Sequence, residues 1–589
     1  MNSRQTSLYK IAAVLLAAVL LVMSCVAIRP YASGEQNGDR KLIVSKTEYD
    51  YGEPILITAY GEGLDWVGIY SPDGKASILW VYIDPSRGGV GSGTQFDIIA
   101  RGVINNGASR ADIKPGKYII RLMPDDTSDL SKALETVEIT VNNKQAAGPK
   151  APISAEYTPA GSGFGGGILT VKLSEDSGAS GIRPFWANES GILSDYTNLP
   201  DFKVKNGSAS YTFDDSMIIP AEATQLWVYS VGALGKRSEE CFRIDLPAGS
   251  GFADPGAASV EFQVVSDIHI TTDRNHEHNT HFAQVLKDIS ENSKKSIGLF
   301  VVGDMANTGD EEEYRIMSEM QKAQKGAPAL FLAIGNHDLY NGSMEEKSAL
   351  FLKYASLPGG KHPMSVHYDF WLSGFHFIFL GNDDLVNGVD TTLDPETLEW
   401  LRKTLDDRRD ETRPVFLFIH QSLYNTVAGS LPGQGWNGVH DENAFRELLC
   451  SYPEVIMFNG HSHWTMDSES NIFRQGGYPT ILNTASTAYL WTSYYITEGE
   501  FLYGSQGYYV SIYDDKIIIR GRDFVTGQWI AAAQYCLSGA DGFPNPDNSS
   551  GRGVSWSSTQ IAIFIATVCA VLIIAAAIII IAIKYKKRV

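Results

Sequence analysis

Apolar positions recur in three rhythms along the chain. From 40 to 142 and again from 152 to 247 they form short β-rich runs. These are Leu42-Ile43-Val44, Ile55–Thr58, Trp66–Tyr70, Tyr118–Leu122 and Val137–Val141 in the first segment, and Ile168–Leu173, Ser208–Phe213 and Leu226–Ser230 in the second. Gly, Pro and Asp separate them, as at Gly52, Pro54, Pro72-Asp73-Gly74 and Pro115-Gly116. Each segment therefore predicts a small all-β sandwich. Residues 143–151 and Pro247–Gly256 read as linkers. From 258 to 535 the rhythm changes to continuous apolar runs, Phe262–Val265, Ile297–Val302, Ala329–Ile334, Val415–Ile419 and Val455–Asn459, alternating with helical stretches such as Thr280–Ser290 and Glu311–Lys325. That alternation predicts an α/β unit.

The third rhythm is unbroken apolarity. Ile11–Ile28 carries no charge and follows Arg4 and Lys10, so residues 1–33 read as a secretory leader. Val22-Met23-Ser24-Cys25 leaves lipidation or retention open as alternatives to cleavage. Ile561–Ile583 is also uncharged and, at ~1.5 Å per residue, reaches across a ~30 Å hydrocarbon core. It predicts a single transmembrane helix (559–583), with Lys584–Arg588 as a basic cytoplasmic tail (584–589) and the Gly/Ser/Asn/Pro-rich 536–558 as a disordered stalk. The expected location is the cell membrane, single-pass, with everything between leader and anchor extracytoplasmic.

Composition narrows the chemistry. With 48 Lys plus Arg against 68 Asp plus Glu the net charge is −20, so no broad nucleic-acid binding is expected. Five cysteines exclude a disulfide-built scaffold; Cys450 reads as a core thiol, and a Cys241–Cys536 pair stays open. All 12 histidines lie between His269 and His463. Five apolar strands deliver polar residues at their carboxyl ends, where α/β sheets place their sites: Asp267 and His269, Asp304, Asn336 and His337, His420, and His461 with His463. Mixed oxygen and imidazole donors suit Mn, Fe, Zn or Co. These donors exceed one ion's needs, which points to two ions sharing a carboxylate.

In order and spacing, Asp267-x-His269, Gly303-Asp304, Gly335-Asn336-His337-Asp338, His420 and Gly460-His461-x-His463 resemble the five motifs of the calcineurin-like metallophosphoesterases. The resemblance covers 258–535. It implies a four-layer sandwich of two mixed sheets flanked by helices, following the two β-sandwich modules. It also implies two divalent metal ions, one on Asp267, His269 and His463 and the other on Asn336, His420 and His461, with Asp304 bridging. His337 would meet the substrate, with Asp338 orienting its imidazole. A bridging hydroxide would then attack phosphorus in line.

Purple acid phosphatases place a tyrosine ligand where this chain has Asn307, so an Fe(III)–tyrosinate centre is not expected. The first sandwich, through Tyr51-Gly52-Glu53-Pro54-Ile55 and Asp65–Tyr70, resembles SKICH-type modules, and both sandwiches are Ig-like in layout.

The expectation is an extracytoplasmic phosphoesterase acting on a small-molecule or cell-envelope phosphoester. A diester is preferred over a monoester because no Arg or Lys cluster stands near the motifs. The sandwiches would serve as spacers or as cell-wall or glycan contacts. The competing class is a surface binding or adhesion protein with an inactive phosphoesterase domain, against which the complete ligand set speaks. His276, His278 and His281 read as a solvated loop rather than substrate contacts, and His362, His367 and His376 as packing or surface residues. Asn382–Asp384 is a candidate for the cleft wall. The aromatics around Tyr489, Trp491, Tyr494, Tyr495, Tyr503, Tyr508 and Tyr509 could wall a nucleoside or lipid moiety, but read mostly as core.

Overall fold

The computed structural model describes residues 40–538 apart from 85–88, 102, 105–112, 146–147, 160–162, 233–234, 433, 437, 469, 476 and 494–497. The leader, the stalk, the apolar stretch 559–583 and the basic tail lie outside the described residues. Among the described residues no helix is long and apolar enough to cross a membrane. The described residues divide into two compact units, one within 40–49, 55–108 and 115–141, the other within 50–54, 109–114 and 142–538. In the first, Lys41–Val44, Leu56–Tyr60 and Gln95–Asp97 make one antiparallel sheet. Trp66–Tyr70 pairs with both Leu79–Tyr82 and Gly116–Met123 in another.

The second unit begins with a β-sandwich. Ser154–Glu156, Ile168–Lys172 and Ser208–Thr212 form one sheet; Gly181–Asn188 and Gln225–Val231 centre the other. Leu169 and Val171 from the first share a core with Trp186, Leu226 and Val228 from the second. The strand Ile168–Lys172 alternates exposed and buried, the period-2 signature its sequence carried.

The four-layer part follows. Its first sheet runs in the order β3-β2-β1-β10-β11-β12, where β1 is Val260–Val265, β2 Ser296–Val302, β3 Leu330–Ala333, β10 Gln506–Ile512, β11 Lys516–Asp523 and β12 Gln528–Ser538. Its second runs β4-β5-β6-β7-β9-β8, with β4 Tyr368–Leu372, β5 Phe375–Leu380, β6 Val415–Ile419, β7 Val455–Asn459, β8 Ile472–Phe473 and β9 Thr480–Asn483. Both are mixed: β1–β3 and β5, β6, β7 and β9 are parallel, and antiparallel strands complete each sheet. The sheets meet over phenylalanines. Phe300 stacks on Phe377 at 4.6 Å and on Phe418 at 5.0 Å, and Phe262 meets Phe416 at 4.9 Å.

The alternate residues face helices. Leu299, Val301 and Leu332 pack with Phe282, Val285 and Ile289 of α1 (Glu277–Asn292) and with residues of α2 (Glu311–Ala323) and α3 (Met344–Tyr354). Ile378, Leu417 and Met457 pack with Leu401 and Leu405 of α4 (Pro395–Asp406) and Phe445 of α5 (Asn443–Leu449). Burial on both faces is why these strands read as unbroken apolar runs. Helix starts are marked locally: Ser343 and Glu346 form a reciprocal capping box on α3. Cys241, Cys450 and Cys536 form no disulfide, and Cys450 is exposed rather than a core thiol, because it follows the last turn of α5 on its solvent side.

β12 is an edge strand, and the second sandwich covers it. The Thr197 N–H donates to Trp529 O (2.9 Å), Trp529 N–H to Asp195 O (2.8 Å), Ile218 N–H to Gln534 O (2.7 Å) and Cys536 N–H to Ser216 O (2.8 Å). Ala531 sits inside the sandwich core. At this seam Asp467 accepts from Thr197 Oγ1 and from Gln506 Nε2, each at 3.0 Å. Burial pushes the Asp467 carboxyl up to about 6, despite the Thr197 bond. A raised carboxyl means the folded chain binds its proton more tightly than the unfolded chain. Stability from this group is therefore present at low pH and is lost as pH rises from about 4 to about 6. Denaturant titrations across that range should show a steeper loss for wild type than for Asp467→Asn, whatever the variant's absolute stability. Equal slopes would assign the seam no titrating role.

Candidate metal centre

Because the two sheets pack face to face, the carboxyl ends of β1, β2, β3, β6 and β7 converge at one end of the sandwich. Each strand stops where its ligand begins. Asp267 (φ 53°), His269 (42°), Asp304 (52°), His461 (69°) and His463 (53°) all occupy the left-handed region, which costs a non-glycine residue about 1–3 kcal/mol. Neighbouring backbone holds them there: Asp267 N–H donates to Gly303 O (3.1 Å), His269 N–H to Asp304 O (3.0 Å) and Ala488 N–H to Asp267 O (3.1 Å). The motif glycines have a steric reason. A Cβ on Gly303 would overlap the His420 ring, one on Gly335 would overlap Asp304, and one on Gly460 would overlap Ser266 Oγ and Asp267 Oδ2.

The donors close into one buried cluster. His463 Nε2 lies 3.0 Å from Asp267 Oδ1 and 3.1 Å from His269 Nε2. Asp304 Oδ2 stands between two imidazoles, 3.2 Å from His420 Nε2 and 3.7 Å from His269 Nε2. Three sets have donor atoms within 4.8 Å of one another: Asp267, His269 and His463; Asp267, Asp304 and His420; and His269, Asp304 and His337. Carbonyls fix two tautomers, since a carbonyl only accepts. His420 Nδ1 donates to Val302 O (2.7 Å) and His463 Nδ1 to Tyr489 O (3.2 Å), leaving each Nε2 to face the cluster. His461 donates its backbone N–H to Asp267 at 3.0 and 3.2 Å, and its ring lies 5.1 Å from that of His420.

This donor set fits a divalent cation. His420 Nε2 and Asn336 Oδ1 are buried without a hydrogen-bond partner, a costly arrangement unless an ion takes them up. The electrostatics agree. Burial works to raise Asp267, yet His463 and His420 hold it down to about 2. Asp304, against the same burial, stays well below the usual carboxylate range, chiefly through His420. Burial opposes the charge on His420, but Asp304 and Asp267 lift it to about 10. Burial and then His420 take His461 down to about 3. Beside the two ionised carboxylates His420 keeps its proton, and a cation taking the same place would release it.

One expected role is corrected. Asp338 does not serve the His337 imidazole. Its Oδ1 accepts from Ala306 N–H (3.0 Å) and Tyr314 OH (2.8 Å), its Oδ2 from Gly335 N–H (2.9 Å), so it ties the β2 and β3 loops together. The His337 ring is oriented by a main-chain group instead, Nδ1 donating to Asn307 O at 2.8 Å. The site also places His337 within ligand range of His269 and Asp304.

The histidines after the first motif are not a solvated loop. His276 caps α1, His278 donates from Nδ1 to His269 O (3.1 Å), and buried His281 donates from Nδ1 to Ala488 O (2.8 Å). His367 and His376 pair with Asp383 (2.9 Å) and Asp369 (2.8 Å) in the surrounding structure. Asp383 is engaged by His367 and Thr397, so it does not serve the cleft, whereas Asn382 is buried beyond β5. Tyr508 and Tyr509 are core, Tyr503 is exposed, and Tyr489 and Trp491 are half-buried beside the centre; Tyr494 and Tyr495 lie outside the described residues.

Tyr340 and Trp436 have no counterpart in the sequence reading. Tyr340 accepts from Asn336 Nδ2 at 2.9 Å, which fixes the amide so that Oδ1 is the atom left over, and its ring lies 4.4 Å from that of His337. Tyr340→Phe keeps the ring and frees the amide. It is expected to weaken Mn²⁺ binding by about tenfold or more, read by calorimetry. An unaltered affinity would leave Tyr340 only a packing role.

Residues 262–465 match the family model described as calcineurin-like phosphoesterase. This segment is a calcineurin-like phosphoesterase domain. The domain is similar to the 3′,5′-cyclic adenosine monophosphate phosphodiesterase CpdA of Haemophilus influenzae, at 28% identity over 192 residues, 32% of this chain and 63% of the relative. The match thus spans less than two thirds of that protein's length. Among solved structures, the purple acid phosphatase PPD1 of yellow lupin (Lupinus luteus) aligns over 86% of this chain and 98% of its own, with TM-score 0.37 and 12% identity. A conserved protein of Streptococcus pneumoniae TIGR4 aligns over 48% and 98%, with TM-score 0.24 and 13% identity.

Proposed function

We propose that this chain is a metal-dependent phosphoesterase that prefers a phosphodiester, working with two divalent ions of the Mn, Fe, Zn or Co type. One would be held by Asp267, His269 and His463, the other by Asn336, His420 and His461, with Asp304 shared. The observation that carries the reading is Asp304, a buried carboxylate within 3.2 Å of His420 and 3.7 Å of His269, inside a calcineurin-like phosphoesterase domain. The ions would supply Lewis acidity toward the phosphoryl oxygens and a water of lowered pKa.

The chain's own groups position the rest. The His337 N–H donates to Asp304 Oδ1 (2.9 Å) and its Nδ1 donates to Asn307 O, which leaves Nε2 facing the departing oxygen, to which the imidazolium form would donate. No Lys or Arg occurs among the described hydrogen-bond or ion-pair partners of the ligand residues, which favours the singly charged diester over a dianionic monoester. The proposal extends to location. The apolar stretch Ile561–Ile583 followed by Lys584–Arg588 supports a membrane anchor with the phosphoesterase domain outside.

The test is hydrolysis of bis-p-nitrophenyl and p-nitrophenyl phosphate by the purified full-length protein with Mn²⁺. Turnover should be faster on the diester and abolished by chelation. A folded, metal-loaded protein inert toward these and toward natural esters would instead be a surface-binding protein.

A further inference from the structure

The phosphoester chemistry proposed above uses the ligand cluster; the aromatic residues beside it have been given no task. Tyr489 lies 4.3 Å from His463 and 5.9 Å from His269, nearly parallel to the latter at 29°. Two residues on, Trp491 is locked by its backbone, donating to His463 O (2.8 Å) and accepting from Thr465 N–H (2.8 Å). Trp436 reaches the same place from the loop between β6 and α5. Its ring stands 5.4 Å from His461 at 89° and 6.4 Å from Trp491. That loop is pinned to the ligand turn: Trp436 N–H donates to Gly429 O (3.2 Å), and Ser462 Oγ, between His461 and His463, donates to Ala428 O (3.3 Å).

All three rings are half-buried rather than interred, although tryptophan and tyrosine in a phenylalanine-rich domain have ample core to occupy. Their backbones are fixed, so the wall is rigid and its faces are set before anything binds. Beside it His278, its Nδ1 committed to His269 O, offers Nε2 as an acceptor 5.5 Å, ring to ring, from Tyr489. Rigid π-faces with a polar acceptor beside them match a flat ring better than an alkyl chain.

We propose that Tyr489, Trp491 and Trp436 form a subsite that stacks a planar aromatic group of the phosphodiester, the nucleobase of a nucleoside ester being the class it suits. This rests on the phosphoesterase reading, and the test separates the two. The Mn²⁺-loaded full-length protein is titrated by calorimetry with thymidine 5′-monophosphate, phenyl phosphate and methyl phosphate, which share the phosphoryl group and differ only in what it carries.

The nucleotide should bind about tenfold or more tighter than methyl phosphate, the scale of one base–aromatic contact. In Trp436→Leu and Trp491→Leu that advantage should shrink to about twofold or less. Phenyl phosphate matching the nucleotide would support a subsite for any flat ring. Phenyl phosphate resembling methyl phosphate would support one in which His278 also reads the base. If all three bind alike, or both variants keep the full advantage, the subsite is overturned while the phosphoesterase reading stands. If none binds and Mn²⁺-dependent turnover is also missing, both fall together.

Discussion

Asp304→Asn is expected to lower kcat/KM toward bis-p-nitrophenyl phosphate by about a thousandfold or more, a loss of about 4 kcal/mol in transition-state stabilisation. Its two oxygens serve different partners. One oxygen lies within reach of both His420 and His269, and the other accepts the His337 N–H. Asparagine preserves the volume, so the fold should survive. It removes the negative charge that, with Asp267, lifts His420 to about 10, and it puts an N–H₂ where either a ligand oxygen or the His337 acceptor is needed. Metal analysis of the purified variant should show bound Mn²⁺ reduced along with the rate. A variant that keeps both its metal and its rate would remove the shared carboxylate from the mechanism.

Gly460→Ala should cost nearly as much, by a different route. Gly460 is not among the positive-φ residues, so the added methyl carries no backbone penalty there. What it meets is Ser266 Oγ and Asp267 Oδ2, neither of which can step aside. Ser266 Oγ is tied to Val302 O at 2.7 Å, and Asp267 receives the His461 N–H. The strain must move β1 or the ligand turn. The expected result is a hundredfold or greater loss of turnover, with destabilisation of about 1–3 kcal/mol read by thermal unfolding. Gly388→Ala, at φ 75° with nothing within 4 Å of its Cβ, is the comparison for backbone cost without a clash. Equal behaviour of the two variants would show that Gly460 is not there for the ligands.

The strand ends were legible in the sequence because buried parallel strands leave an unmistakable trace, a run such as Val415–Ile419 with no polar residue, so the first polar residue after it falls at the sheet edge. That logic reached every ligand candidate. It could not reach relations fixed by loops. A carboxylate following His337 says nothing about whether it faces the ring or the amides of Ala306 and Gly335; the approach of two strands decides that. His276 and His278 looked like loop residues because the helical pattern was read from Thr280, whereas α1 begins at Glu277, capped by His276. Trp436 lies in a stretch with no periodicity, and its neighbour His461 is distant in sequence. Tyr489 and Trp491 resembled core because half-burial against a site and full burial in a sheet select the same residue types.

The four main-chain hydrogen bonds between β12 and the second sandwich bear on what counts as the smallest autonomous piece of this enzyme. A chain cut at the apparent linker before residue 258 would expose the flank of its own sheet, a template on which further copies of the fragment add as strands. The module that looks like a spacer is a lid on that template. A phosphoesterase domain separated from the preceding hundred residues would self-associate along that flank.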